Sequence, residues 1–280
     1  MAAAAPTRRR NYGRGHGYFL DGDKVSGVTT LIKEGMPSPA LMYWSARMVA
    51  ESAVQERAAW QEMDERDAVE WLRKRPWDRA RAAAARGTEI HGWAEKLAKN
   101  ETVEVPEPEQ GHVDAFLQWW EDWSAQIVES ELVVINRTHR YMGTVDLIAD
   151  VTGWPGHDGT ARVLIDISTS GSGVYPEKAF QVCAYANAEA YLEDPSGKSG
   201  EQTMASVGVD FGAVLWLRDG SYDFKPVEIG EATFTDFLYI CQVAEVMGVG
   251  RDDPGRGEGY LGDAIDPVVT GKTKTKKGKG

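Results

Sequence analysis

The spacing of apolar residues is helical over the first half of the chain, after the N-terminal residues. Between residues 38 and 126, Ala-rich stretches repeat apolar positions with a period of about 3.6 residues. These stretches predict helices at 40–60, 67–75 and 77–100, and a further Trp-rich amphipathic helix at 111–127. The chain is therefore expected to have a helical N-terminal half.

The period changes after residue 130. Short, β-branched, apolar runs predict three strands at 131–136, 141–151 and 161–168. They are followed by a helix at 176–192, a hairpin around Asp219 and Gly220, and a final helix at 232–249. This order predicts an α/β fold with a mixed central sheet flanked by helices.

Composition is that of a folded chain without a membrane span. Of 280 residues, 42% are hydrophobic and 26% are charged, and the longest uncharged apolar runs are far too short to cross a bilayer. The N-terminus lacks the continuous apolar segment of a secretion signal, which predicts a cytoplasmic protein. Two cysteines are too few for a disulfide framework or an iron–sulfur site.

Positive charge is concentrated at the two ends, although the formal net charge is −12. The first twenty residues and the last ten contain basic residues and no acid; those expected to contact phosphates are Arg8, Arg9, Arg10, Arg14, Lys272, Lys274 and Lys276. Both ends are also Gly-rich. We predict a basic flexible arm at 1–17, a folded domain at 18–262 and a basic flexible tail at 263–280. The alternative is that both ends are passive solvated tails.

Nucleotide and zinc-protease motifs are not supported. A phosphate-binding loop needs a Gly five residues ahead of its Gly-Lys-Ser/Thr, but Leu192 and Asp266 stand at the two positions concerned. The five histidines include no His-x-x-x-His pair. We therefore expect no nucleotide cofactor.

Two acids interrupt otherwise apolar predicted strands. Asp146 lies in Gly-Thr-Val-Asp-Leu-Ile, and Asp166 lies in Leu-Ile-Asp-Ile-Ser. Because burying an unpartnered carboxylate costs several kcal/mol, each must meet solvent, a partner or a cation. If the strands are neighbours, the two acids can share Mg²⁺ or Mn²⁺. The alternative for each acid alone is a strand-end position hydrogen-bonded to a loop.

Four further polar side chains are placed by the periodicity. Strand alternation puts Ser168 on the face that carries Asp166, and helical spacing puts Gln181 and Tyr185 on one helix face. His91 borders the apolar stripe of the predicted helix at 77–100. A histidine in that position is more often a core residue than a ligand.

Four segments together resemble the PD-(D/E)XK nuclease superfamily, specifically its RecB-like exonucleases of bacteria and phages. They are R-G-T-E-I-H (86–91), G-T-V-D-L-I (143–148), L-I-D-I-S-T-S (164–170) and Q-V-C-A-Y (181–185). The resemblance implies a restriction-endonuclease-like core in which His91, Asp146, Asp166 and the carbonyl of Ile167 bind the metal. It also implies that Gln181 and Tyr185 support the active-site strand and the DNA. The CRISPR-associated exonucleases of this group carry four iron–sulfur cysteines that this chain lacks.

One position departs from the family pattern. The pattern has a Lys two residues after the second acid, and this chain has Ser168 there. Lys178, at the start of the next helix, is a candidate for the missing ammonium. The expected function is a metal-dependent DNA exonuclease, impaired if nothing replaces that lysine; its expected setting is a bacterial or phage-infected cell with a recombination or annealing partner. The alternatives are a catalytically silent DNA-binding or assembly protein of the same fold, and a structural α/β protein.

Overall fold

A computed structural model of the chain describes residues 7–12, 15–99, 101–248, 257 and 260. The strands are β1 (Arg8–Tyr12), β2 (Gly15–Leu20), β3 (Asp23–Gly27), β4 (Gln126–Asn136), β5 (Tyr141–Thr152), β6 (Thr160–Ser168), β7 (Ala190–Leu192), β8 (Glu201–Thr203), β9 (Phe211–Arg218) and β10 (Ser221–Val227). The helices are α1 (Val28–Gly35), α2 (Pro39–Gln55), α3 (Arg57–Trp60), α4 (Glu65–Ala98), α5 (Glu107–Asp122), α6 (Pro176–Ala186) and α7 (Glu231–Met247). Among the helices described, none has the length and apolarity that a bilayer span requires.

The predicted α/β class is confirmed. One mixed sheet is organised around β5, which pairs antiparallel with β4 along one side. On its other side it pairs parallel with β3 near its start and antiparallel with β6 further along. The sheet continues from β6 to a parallel β9, and then to an antiparallel β10. Helices cover both faces: α1, α6 and α7 pack on one, and α4 and α5 on the other.

The predicted N-terminal arm at 1–17 is wrong for the part that the structure describes. Strand β1 pairs antiparallel with β2 from Arg8 to Tyr12, and the backbone N–H of Arg9 donates to the carbonyl of Pro195 at 2.8 Å. Hydrogen bonds to β2 and to Pro195 thus satisfy backbone groups of these residues. A polar, Gly-rich sequence does not predict such pairing. The predicted tail at 263–280 lies outside the described residues.

The helical N-terminal half differs from its prediction in two ways. Three strands precede it, and its long stretch is one helix, α4, that passes through Pro76 instead of ending before it. A proline removes one backbone hydrogen bond and crowds the preceding turn. Pro76 is buried in α4, and α2 packs along that helix. This tertiary packing explains why the helix is continuous here.

Candidate active site

The pairing of β5 and β6 brings the two strand acids together. The ladder between these antiparallel strands ends where Leu147 pairs with Ile165. One residue further, the same register sets Asp146 opposite Asp166, and opposite residues of an antiparallel pair point to the same face. The backbone N–H of Ile167 donates to Oδ2 of Asp146 at 2.8 Å. Where the two acids meet, the Asp146 side chain therefore accepts a backbone hydrogen bond from β6 beyond the end of the backbone ladder.

Two helices bring basic side chains to these acids. From α4, Nδ1 of His91 lies 3.5 Å from Oδ1 of Asp146. From the first turn of α6, Nζ of Lys178 lies 2.7 Å from Oδ2 of Asp166, whose side chain is only 2% exposed. A lysine is unfavourable beside the positive end of a helix dipole. Its position at the start of α6 is accounted for by the buried carboxylate that it meets.

Gln181 and Tyr185 extend the site along α6. The side-chain amide of Gln181 donates to Oδ1 of Asp166 at 2.5 Å and to the hydroxyl oxygen of Tyr185 at 3.3 Å. The Tyr185 ring lies directly over Gly143, where an added Cβ would come within 2.2 Å of the ring. Gly143 is therefore a site residue, although its place in the segment G-T-V-D-L-I alone predicts no role for it. A glycine within a strand is the signal that marks such a close approach.

The acids and their cations shift one another's pKa values. Burial alone would lower the pKa of His91, but the charge of Asp146 holds it above the ordinary 6.5. Burial would raise the pKa of Asp146, but His91 and the Ile167 N–H hold it below 3.8. Burial raises the pKa of Asp166, and the charge of Lys178 only partly opposes this. The pKa of Lys178 stays above 10.5, because Asp166 outweighs the effect of burial. The shifts thus favour the ionised form of Asp146 and the cationic forms of His91 and Lys178, whereas burial favours the neutral form of Asp166.

Ser168 follows Asp166 on the same strand and is almost fully buried. It pairs in register with Trp216 of the parallel strand β9, whose indole N–H donates to the carbonyl of Ser170 at 2.8 Å. The hydroxyl of Ser168 carries no charge. The ammonium that meets Asp166 comes from Lys178, ten positions further along the chain.

The two carboxylates are oxygen donors of the kind that a hard divalent cation prefers. The resemblance adds the Ile167 carbonyl, also an oxygen donor, and the His91 imidazole, a nitrogen donor that such a cation prefers less. Oδ2 of Asp166 is buried and accepts no hydrogen bond of good geometry in the described part of the chain, although the Lys178 ammonium lies 2.7 Å away. A cation that binds this oxygen would therefore compete with the Lys178 ammonium for it. As they stand, no three His, Cys, Asp or Glu side chains within the described residues form a metal-holding group.

The basic N-terminal residues fall in different places. Nη1 of Arg9 donates to Glu131 at 3.0 Å and to the hydroxyl of Thr144 at 3.2 Å, two residues before Asp146 on β5. Arg8 and Arg10 instead lie over the rings of Phe19 and Tyr12. The structure thus joins Arg9 alone of these three to the strand that carries the site. The predicted phosphate contacts Arg14, Lys272, Lys274 and Lys276 lie outside the described residues.

Comparison with known proteins adds little to this geometry. No protein-family model matches the chain, and no curated protein matches it. Among solved structures, the chain is similar to that of SSO0001, at 15% sequence identity and a TM-score of 0.29 over 83% of this chain and 80% of that one. A similarity of this size indicates nothing about the function of the chain.

Proposed function

We propose that this chain is a metal-dependent nuclease that hydrolyses phosphodiester bonds, with DNA ends as its substrate. The observation that carries the proposal is the pair of acids side by side on β5 and β6, each met by a basic side chain from a different helix. Two carboxylates placed together in a buried position repel each other, and a bound divalent cation would relieve that repulsion further than His91 and Lys178 do. The choice of DNA and of an exonuclease follows from the resemblance to RecB-like enzymes.

Asp146, Asp166, the Ile167 carbonyl and His91 would hold the Mg²⁺ or Mn²⁺ ion. When bound, such an ion polarises the phosphodiester and lowers the pKa of the attacking water. The chain's own groups act around it. His91 holds the Asp146 carboxylate, and the Gln181 amide holds that of Asp166, so both acids keep a fixed orientation. Lys178 brings a positive charge to the place where the phosphate becomes more negative.

In this proposal Lys178 takes the role of the lysine that the family carries two residues after the second acid. Its distance of 2.7 Å from Asp166 supports that assignment, because it puts an ammonium beside the same carboxylate from a different element. Ser168 then needs no chemical role. The proposed setting is a bacterial or phage-infected cell, with a recombination or annealing protein as partner.

A second candidate is a DNA-binding or assembly protein without catalysis. It is favoured by Ser168, and by the fact that the Asp166 oxygens already have Gln181 and Lys178 as neighbours. Such a protein would bind DNA and leave it intact. Activity with a divalent cation therefore distinguishes the two candidates.

The test is digestion of linear and covalently closed circular DNA with Mn²⁺, comparing the parent with Asp146→Asn and with Asp150→Asn. Asp150 is the matched control, because it lies four residues further along β5 and pairs with Arg162 instead of with a site group. We expect linear DNA to be degraded by the parent and by Asp150→Asn, but not by Asp146→Asn. If the parent binds DNA and degrades neither form, the second candidate replaces the first. Cleavage that survives in Asp146→Asn would reject this site as its source.

A further inference from the structure

A cluster of cationic and aromatic side chains lies beside the candidate active site on the same face of the sheet. Strands β6 and β9 are parallel, and their register pairs Asp166 with Val214 and Ser168 with Trp216. Paired residues of neighbouring strands share a face, so Trp216 and Arg218 continue the face that carries the acid. Across the antiparallel β9–β10 pair, Asp223 stands opposite Trp216 and Lys225 opposite Val214.

The side chains of this cluster, which we call the cationic rim (Trp216, Arg218, Asp223 and Lys225), are in direct contact. The guanidinium carbon of Arg218 lies 4.5 Å from the centroid of the Trp216 ring, and Nζ of Lys225 lies 5.8 Å from it. Asp223 accepts from Arg218 at 2.7 Å and lies 3.6 Å from Lys225. Two positive charges thus share one acid on an aromatic support.

The rim is tied to the edge of the site. The Trp216 indole donates its N–H to the carbonyl of Ser170, in the loop that leaves β6 directly after Ser168. The ends of Arg218 and Lys225 remain available to solvent, at 39% and 46% side-chain exposure. Nε of Arg218 is buried and has no hydrogen-bond partner in the described part of the structure. The partly exposed Arg218 and Lys225 side chains therefore carry two positive charges, of which the single acid Asp223 neutralises one.

We infer that the cationic rim binds the sugar–phosphate backbone of the nucleic-acid strand whose scissile bond enters the site. This inference rests on the proposed function and adds to it the surface that holds the substrate. A chain with a net charge of −12 repels a polyanion unless cations are concentrated where it docks. Arg218 and Lys225 meet that need beside the acids, and an arginine fixed over an aromatic ring is well suited to phosphate oxygens. Asp223 is the counterion that the backbone displaces.

The experiment is fluorescence anisotropy with a labelled oligothymidylate of about 20 nucleotides, in EDTA and over a series of salt concentrations. All variants are made in Asp146→Asn, so that no cleavage occurs. Arg218→Gln and Lys225→Gln are each expected to weaken binding about 5- to 20-fold at low salt and to reduce the salt slope by about one. Asp223→Asn is expected to tighten binding several-fold, because it removes the competing acid. A purely structural role for the rim does not predict tighter binding.

The matched control is Arg73→Gln. Arg73 is an exposed arginine paired with an acid, Glu70, on α4, and it lies 18 residues before His91 in the same helix. That separation is about 27 Å along a helix, so binding should change less than twofold. If the rim variants bind like the parent while the parent binds DNA, the rim inference fails alone. If the parent binds a polyglutamate peptide and no DNA, both the rim inference and the proposed function fail.

Discussion

Two pairs of charged residues sit four residues apart on the same two strands, and they are built in opposite ways. At one, Asp150 of β5 is paired in register with Arg162 of β6, whose guanidinium donates to both carboxylate oxygens at 2.8 and 2.9 Å. In the second pair, the same register places Asp146 opposite Asp166, so that two carboxylates are neighbours.

The difference lies in where the compensating charge comes from. The Asp150–Arg162 pair is complete within the sheet, and its side chains are 25% and 31% exposed. The two site acids are compensated only because α4 and α6 bring His91 and Lys178 to them. Hydrogen bonds from Arg162 hold the pKa of Asp150 below its ordinary value, whereas burial raises that of Asp166. The first pair is neutralised within the sheet, whereas in the second pair burial disfavours the charge of Asp166, and the basic side chains that meet the acids come from two helices.

The largest expected effect comes from removing the cation that α6 supplies. We predict that Lys178→Ala lowers the rate of DNA cleavage by about 10²- to 10³-fold, because a group that stabilises transition-state charge is lost. Initial rates of Mn²⁺-dependent digestion measure this effect. Arg162→Met removes the cation of the comparison pair and should leave the rate within about twofold.

The Lys178 assignment can be sharpened by restoring an ammonium from the strand. Because Ser168 shares a face with Asp166, Ser168→Lys should recover part of the activity in the Lys178→Ala background and add little to the parent. Equal rates for the parent and Lys178→Ala would show that no ammonium from α6 takes part in the chemistry.

The effect of a divalent cation on the melting temperature should depend on the Asp146–Asp166 pair and not on the Asp150–Arg162 pair. An ion that binds only the folded chain stabilises it by about 2.7 kcal/mol at a hundred times its Kd. Saturating Mn²⁺ should therefore raise the melting temperature of the parent and of Asp150→Asn by the same amount, and leave Asp166→Asn unchanged. Differential scanning calorimetry at several Mn²⁺ concentrations measures the shift. An equal shift in all three proteins would place the ion elsewhere.

Much of the central sheet and the identity of its acids could be predicted from sequence. The three predicted strands in this region are apolar and β-branched, and two of them are interrupted by an acid, Asp146 or Asp166, that is costly to bury. The periodicity and the cost of burial therefore point to the same strands and the same acids. The sequence pattern does not predict that Trp216 pairs with Ser168. This pairing depends on the register between β6 and a strand more than forty residues later, which no local pattern encodes.

The N-terminal strands and the contact between Lys178 and Asp166 could not be predicted from local sequence patterns. Strand β1 begins with three arginines and has no apolar alternation, so its pairing with β2 is visible only in the folded chain. Sequence spacing set Lys178 at a helix start, but the distance from its ammonium to Asp166 depends on how α6 packs on the sheet. Both cases are decided by tertiary contacts, which outweigh local propensity.

The smallest expected effect concerns the Asp150–Arg162 pair itself. We predict that Asp150→Asn lowers the free energy of unfolding by about 0.5–1 kcal/mol near neutral pH, since the pair is partly solvated. Arg162 also donates to the carbonyl of Val207 at 2.7 Å, so its guanidinium stays in place when the acid is lost. Urea unfolding of both proteins measures the difference, with the exposed Asp236→Asn as a control that should change nothing.

The pH dependence of that difference follows from the direction of the pKa shift. The folded-state pKa of Asp150 lies below the ordinary 3.8, because Arg162 hydrogen-bonds to the ionised form. A depressed folded pKa contributes stability that is complete above the unfolded value and is lost as the pH falls through the folded value. The difference in the free energy of unfolding between the parent and Asp150→Asn should therefore have its full value at neutral pH and disappear as the pH falls below 3.8. If this difference in the free energy of unfolding persists in acid, Asp150 stabilises the strands by packing. Asp150 would then differ from the site acids in its packing and not in its charge.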